Sequence, residues 1–389
     1  VSYLLAGNAP AAAGGVTVHE VRTRRDRNAF VRVPWQIYAD DPMWVPPLLI
    51  ERKAFINPQK HPFYLHGAAT QFLASQDGKW VGRILVSDDP LYNQTHDSNV
   101  GCFGMFESTS DPAVAHALLD AASNWLRQRG RTHIMGPIDY STNYDCGLLI
   151  DGFDTPPRVL MNHNPPFYAG LLESWGLMKA KDLFAWWVVV NPELVAQWGA
   201  RVERIRKRGS VMVRAFRLDD SKAEVMRCKD LYNAAWEKNW GFVRMTDAEF
   251  LFMAKDLVEW VPPDLLQIAE IDGRPVGMSM LMPDFNEAMR PLDGRVFRWG
   301  IPIGLLQFRR NIRRVRHCRL MALGVLPPYR RRGVVELLVD GVMNTMLRHG
   351  LVAGECGWTL EDNESINHAI RATGGTRYKT YRVYERTLV

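Results

Sequence analysis

Leu320-Met-Ala-Leu-Gly-Val325-Leu-Pro-Pro-Tyr-Arg330-Arg-Arg-Gly333-Val-Val-Glu-Leu-Leu338 runs from a strand-like stretch through a proline- and arginine-rich turn into a helix-like one. Such a turn leaves the first backbone N–H groups of the helix unpaired, at the end where the helix dipole favours anions. With Gly333 allowing close approach and Arg330, Arg331 and Arg332 supplying charge, a pyrophosphate can dock there. A surface turn with solvated arginines is the plainer reading of the same residues.

Working outward, Ser210 to Leu218 alternates as a strand, and Lys222 to Lys238 and Asp247 to Glu259 have helical spacing. Leu265 to Ile271 and Val276 to Met282 read as strands around the turn Asp272-Gly273. After a basic insertion come a strand to Val325, a helix from Gly333 to Arg348, a strand at Val352 to Trp358, a helix from Asn363 to Ala372 and a strand at Tyr378 to Arg386. The order is β-α-α-β-β-β-α-β-α-β. Upstream, Gln71 to Ser75, Trp80 to Ser87 and Asn99 to Glu107 read as strands and Val114 to Arg129 as a helix. The stretch from Gly136 to Pro166 is long and rich in Pro, Asn, Asp and Gly; loops of that length in compact domains are usually functional.

Two segments end alike. Leu172-Glu-Ser-Trp-Gly176 leads to Lys181 and an apolar strand, and Ile370-Arg-Ala-Thr-Gly374 leads to Lys379 and a strand, with lysine five residues after glycine in both. The repeat suggests a duplicated unit. The expected division is a flexible lead-in at 1–15, a first domain at 16–190, a linker at 191–209 and a second domain at 210–389 carrying an insertion at 290–319. At 389 residues, two cores are expected in any case.

The five cysteines (Cys102, Cys146, Cys228, Cys318 and Cys356) form no C-x-x-C pair, which argues against a disulfide framework or structural zinc and fits a reducing cytoplasm. Neither Cys146 nor Cys356 has the His or acid spacing of a nucleophile. No apolar run nears the ~20 residues of a membrane-spanning helix. Eight arginines and no acid lie between Gly294 and Leu320; subtracting them from the net charge of +6 leaves −2 for the rest, so the basicity belongs to one segment.

The segment from Leu320 to Leu338 resembles the acyl-CoA loop of the GNAT N-acetyltransferase superfamily, Gln/Arg-x-x-Gly-x-Gly/Ala after a strand and a Pro-containing turn. Arg330, Gly333 and Val335 occupy the three motif positions, the valine being a departure. Trp358-Thr-Leu-Glu-Asp-Asn363 and the helix ending at Gly374 fall where the family has strand five and its Asn-starting helix. The resemblance implies an α/β fold (an α+β mixed sheet) of two tandem GNAT-like domains, the N-terminal one degenerate. It implies acyl-CoA as co-substrate, held by Leu323, Gly324, Val325, Arg330, Arg331, Arg332, Gly333, Val334, Val335 and Asn363, and no metal. Transfer would be direct, with a backbone N–H near Leu323 or Val325 polarising the thioester carbonyl. The family's tyrosine acid should stand seven residues after Asn363, but Ile370 is there, so either the thiolate leaves unassisted or the first half supplies the group. Catalytic candidates are His163, Tyr144 and Asp145 from the long loop of the first half, and Glu355 as base or substrate anchor.

Within the insertion, Leu305, Phe308, Ile312 and Val315 recur on one helix face, flanked by Arg309, Arg310, Arg313 and Arg314, with Trp299 and Phe297 leading in. A basic amphipathic helix with aromatic anchors suits an anionic membrane, here the inner face of the cytoplasmic membrane; a helix packed on the protein with its arginines exposed is the alternative. No nucleic-acid module is visible. Gly136-Pro-Ile-Asp-Tyr-Ser-Thr-Asn and His163-Asn-Pro-Pro-Phe-Tyr are similar to a bacterial tandem-GNAT group that includes ceramide synthases. That similarity implies transfer of a long-chain acyl group to the amine of a sphingoid base. An acetyltransferase for a small amine or protein amine, a non-catalytic acyl-CoA- or lipid-binding protein, and a Fem-like aminoacyl transferase are the competing readings.

Overall fold

The computed structural model describes residues 15–297 and 300–388; the lead-in before Gly15 and Trp299 lie outside them. The first half holds β1 (Thr17–Glu20), α1 (Arg24–Ile37), α2 (Leu49–Phe55), β2 (Ala68–Gln76), β3 (Lys79–Asp88), α3 (Pro90–His96), β4 (Val100–Ser108), α4 (Pro112–Arg127), β5 (His133–Gly136), β6 (Leu148–Asp151), α5 (Tyr168–Ser174) and β7 (Met178–Val189). α6 (Pro192–Lys207) connects it to the second. There follow β8 (Met212–Ala215), α7 (Ser221–Trp236), α8 (Asp247–Trp260), β9 (Leu266–Ile271), β10 (Arg274–Pro283), α9 (Phe285–Met289), α10 (Ile303–Asn311), β11 (His317–Val325), α11 (Val334–Arg348), β12 (Ala353–Leu360), α12 (Glu364–Ala372) and β13 (Thr376–Thr387). Apart from the short helices of the insertion, the second half has the element order expected from its periodicity.

The stretch expected as a linker is a helix. Asn191 accepts from the backbone N–H of Leu194 and Pro192 opens the first turn, both strong helix-start signals. Leu194, Val195 and Trp198 then pack with Val342, Met343 and Met346 of α11.

One mixed sheet runs through both halves in the order β1-β2-β3-β4-β5-β13-β7-β12-β11-β10-β9-β8, with β6 also on β13. The last strand of each half has crossed over. β13 pairs antiparallel with β5, and β7 pairs antiparallel with β12. The two exchanged strands also pair with each other, along most of β13, from Thr376 to Glu385. These are the two segments whose glycine-to-lysine spacing repeats. Their lysines differ: Lys181 ion-pairs with Asp362 at 2.8 Å, whereas Lys379 is fully buried and donates to the carbonyls of Gly152 and Thr155.

The insertion is clamped between the halves. Trp35 Nε1 donates to Asp293 Oδ1 at 2.8 Å and Leu49 N to Gly294 O at 3.0 Å, and just ahead of the insertion Arg158 Nη1 donates to Asp284 Oδ2 at 3.0 Å. The apolar face expected to meet lipid is turned inward. Val315 is buried, and the Phe308 ring lies 5.3 Å from Trp260 and 5.8 Å from Phe285. Leu305 and Ile312 are half-buried beside them. The amphipathic stripe is real, but α8 and α9 cover it. What points outward from α10 is Leu306, 63% exposed, among the exposed Arg309, Arg310, Arg313 and Arg314.

Candidate active site

β11 and β12 run parallel and pair only from His317–Ala353 to Leu320–Cys356. Beyond that point no ladder joins them, so the facing backbone groups of Met321 to Val325 and Gly357 to Leu360 border an unbridged gap. At the mouth of the gap β11 bulges: Met280 pairs with Ala322 and Leu281 with Leu320, which leaves Met321 as the extra residue. Bulges beside active sites re-aim backbone and side chains. The far wall is set by α7, whose Trp236 rests on Gly324; a Cβ there would lie 2.4 Å from the indole.

The turn from Leu326 to Gly333 closes the top of this gap and starts α11. Gly333 is the N-cap residue, with φ +79° and no side chain to cap the helix, and the first intrahelical bond is Leu337 N to Gly333 O. The N–H groups of Val334, Val335 and Glu336 are thus left for an anion, with the helix dipole behind them. Glycine is required twice over. The φ is left-handed, and a Cβ would meet Cγ2 of Ile205 on α6 at 2.5 Å. Arg330, expected to face phosphate, is folded back: Nε donates to Val325 O and Nη2 to Ala235 O, both at 3.1 Å. Ala235 lies at the C-terminal, electronegative end of α7, which explains the attraction. All three arginines of the turn are exposed, but Arg331 and Arg332 are not held by such backbone contacts, and Arg332 lies over the Tyr329 ring.

The equivalent place in the first half is filled. β4 and β5 also pair parallel, from Val100–His133 to Cys102–Met135. Past that ladder the chain after β5 stays against β4: Ile138 N donates to Phe103 O at 2.6 Å and Met105 N to Asp139 Oδ1 at 2.8 Å. A Cβ on Gly104 would lie 2.3 Å from Asp139 Oδ1, so no space is left. The helix that follows, α4, begins at an aspartate: Asp111 accepts from Ala113 N at 2.9 Å, and Pro112 lacks an N–H. An acidic cap at that position disfavours a phosphate.

Below the mouth of the second gap, side chains alternate between the faces of the sheet. Cys318, Leu320 and Cys356 point into the core with α11. Arg319 and Glu355 point the other way, under the first-half loop. Glu355 is fully buried and 3.1 Å from Arg319 Nε, an ion pair not aligned as a hydrogen bond. The arginine donates instead to the carbonyls of Val159, Leu160 and Gly357 at 2.9 to 3.0 Å. Tyr378 of β13 donates to Glu355 Oε2, and Trp187 lies 5.6 Å from its ring. Burial raises the Glu355 carboxyl above the usual range, with Arg319 opposing. The Tyr381 hydroxyl, also buried, has no partner among the described residues.

The other candidates have partners of their own, none of them Glu355. His163 Nε2 is 2.7 Å from Asp41, its buried Nδ1 has no partner among the described residues, and burial lowers its pKa against the pull of Asp41. Tyr144 donates to Glu249 at 3.1 Å, and Asp145 accepts from Arg52 at 3.3 Å. Asn363 caps α12 by accepting from Ile366 N at 3.4 Å. The cysteines are all free, and burial pushes the Cys356 thiol up to about 12, far from a reactive thiolate. Sequence reasoning missed Arg319 and Tyr378. The expected β11–β12 pairing sets Arg319 opposite Glu355, whereas Tyr378 left no such signal.

A parallel strand pair that opens at a bulge and an uncapped glycine-started helix define an acyltransferase of the GNAT superfamily, and this chain belongs to it, in tandem form. It is an N-acyltransferase, and acyl-CoA is the family's co-substrate. Residues 225–369 match the Acetyltransferase (GNAT) family. The chain is 35% identical to the bacterial ceramide synthase of Caulobacter vibrioides over 96% of this chain and 98% of that one. It is 35% identical to the protein YghO of Escherichia coli over 94% of each. A tandem GNAT protein from the clavulanic acid biosynthesis pathway superposes over 96% of this chain and 99% of that one, with a TM-score of 0.53 and 12% identity.

Proposed function

We propose that this enzyme transfers a long-chain acyl group from acyl-CoA to the amine of a sphingoid-base-like lipid, with one donor site, between β11 and β12. The carrying observation is the contrast between the two strand gaps: one is unbridged under a bare helix start, the other is plugged by Ile138 and Asp139 beneath an acidic cap. The pyrophosphate meets the amides of Val334 to Glu336 with Arg331 and Arg332 nearby, while Arg330 braces the turn. The acyl–pantetheine arm lies along the gap, its thioester at the Met321 bulge. Glu355, whose raised pKa suits a proton acceptor, takes the proton of the attacking amine.

The lipid acceptor is supported by the ceramide synthase relative and by the outer face of α10, where Leu306 stands among four arginines. That face suits peripheral binding to the inner leaflet of an anionic membrane. The test is a turnover panel with acetyl-, octanoyl- and palmitoyl-CoA against sphinganine and short amines, read by mass spectrometry. Palmitoyl transfer to sphinganine supports the proposal. Acetyl transfer to small amines alone replaces it with an ordinary N-acetyltransferase.

A further inference from the structure

The top of the donor gap is rimmed by more positive charge than a nucleotide can use. α6 runs antiparallel to α11 and ends beside its start: Leu194 and Val195 pack with Met343 and Met346, Trp198 Nε1 donates to Glu336 O at 3.1 Å, and Ile205 abuts Gly333. Around Ile205 the cations of α6 divide. Arg206 turns back along α11 to Asp340 Oδ2 at 2.6 Å. Arg201, Arg204 and Arg208 stand four residues before Ile205, one before and three after, which sets them on its other flank, towards the turn. All three are exposed, as are Arg331 and Arg332. The acid within this stretch of α6, Glu203, pairs with Arg206 and Lys207 instead. A basic last turn complements the dipole of its own helix, which accounts for Arg204 but not for Arg201 or for an arc of cations at this place.

The width of the arc indicates what it meets. Arg201 to Arg208 covers about 10 Å of helix. Beyond the pyrophosphate, acyl-CoA brings a single further phosphate, which touches one or two side chains of such an arc. Cations on successive turns instead complement carboxylates on successive turns of a second helix. We propose that the face formed by Arg201, Arg204, Arg208, Arg331 and Arg332 docks an acidic acyl carrier protein, so that the enzyme also draws acyl groups from a protein-borne phosphopantetheine thioester; this rests on the donor site assigned above. The carrier's arm has the same pantetheine and the same first phosphate as CoA, so it enters the gap in the same way, with an acidic helix outside in place of the nucleotide. The amine nitrogen bonds to the thioester carbonyl carbon, and the carbon–sulfur bond breaks with its electron pair on sulfur. Nitrogen loses one proton and sulfur gains one, which leaves the amide and a carrier whose arm ends in a free thiol.

The test measures kcat/KM of the full-length enzyme with sphinganine and two donors, palmitoyl-CoA and a palmitoyl-loaded acyl carrier protein of the fatty-acid synthesis type. The wild type should use both, and its rate with the carrier should fall more steeply with salt, since screening weakens a many-charge encounter most. In Arg204→Glu with Arg208→Glu, the ratio of carrier to CoA kcat/KM should drop at least tenfold; turnover of palmitoyl-CoA in the same preparation shows that the variant is folded. Gln at both positions should shift the ratio the same way by less. No turnover of the loaded carrier by wild type overturns the docking face. So does an equal fall with both donors, which would give these arginines to the nucleotide. Failure of the wild type to bind palmitoyl-CoA overturns the donor site itself.

Discussion

Replacing Gly333 with Ala tests the donor site at its narrowest point. Two costs can be worked from the structure. A φ of +79° puts an L-residue in the left-handed region, worth about 1–2 kcal/mol. The new Cβ would also sit 2.5 Å from Ile205 Cγ2, so α6 and α11 must part; overpacking of this kind costs about 1–3 kcal/mol. Together Gly333→Ala should lose about 2–5 kcal/mol in urea unfolding. Gly374→Ala is the control for strain alone, since its φ is +84° with nothing within 4 Å of the added carbon. Ile205→Ala in the Gly333→Ala background should recover the clash part and leave the strain. Any tilt of the first turn of α11 misaims the amides of Val334 to Glu336, and palmitoyl-CoA affinity should fall at least tenfold, about 1.4 kcal/mol. An affinity within twofold of wild type in folded Gly333→Ala would refute the pyrophosphate assignment.

Lys379 offers a pH signature: burial lowers its pKa to about 8, so between about pH 8 and 10.5 the unfolded chain binds more protons and this residue's contribution to stability rises with pH. Against Lys379→Met, the wild type should gain stability between pH 8 and 9.5, and parallel pH curves would contradict this. On vesicles, charge reversal of Arg309, Arg310, Arg313 and Arg314 or Leu306→Asp should release the enzyme from anionic bilayers, each nearby cation being worth about 1 kcal/mol, while Phe308→Ala should instead lower thermal stability; equal binding to neutral and anionic vesicles would count against a membrane partner. His163→Ala and Asp41→Asn should lower turnover more than acyl-CoA affinity if the dyad serves the acceptor, and unchanged turnover in both would make it structural.

The second half was legible because its chemistry is local. A turn residue pair such as Asp272-Gly273, with φ of 51° and 73°, announces itself in sequence, as does the strand–turn–helix around Gly333. The apolar stripe of α10 was also read correctly as a stripe. Periodicity shows that a face is buried, not what buries it, so Trp260 and Phe285 could not be told from lipid. The contacts of Arg330 were hidden for a related reason: its attraction to Ala235 O depends on where α7 ends in space. The crossing of β7 and β13 left a trace only in the glycine-to-lysine repeat. Pairing partners nearly two hundred positions apart have no local signature, and with them the Glu355–Tyr378 contact was out of reach.

The crossing of those strands has a consequence for biosynthesis. The N-terminal half emerges from the ribosome with a slot between β5 and β7 that, in the finished fold, is filled by Thr376–Thr387 of β13. Until β13 has been made, the exposed edges of β5 and β7 are open to wrong partners, which makes the nascent chain a natural client for holding chaperones. A chain that stops before β13 is made leaves both halves unfinished, so a stop codon just ahead of Thr376 should be as damaging as one far upstream.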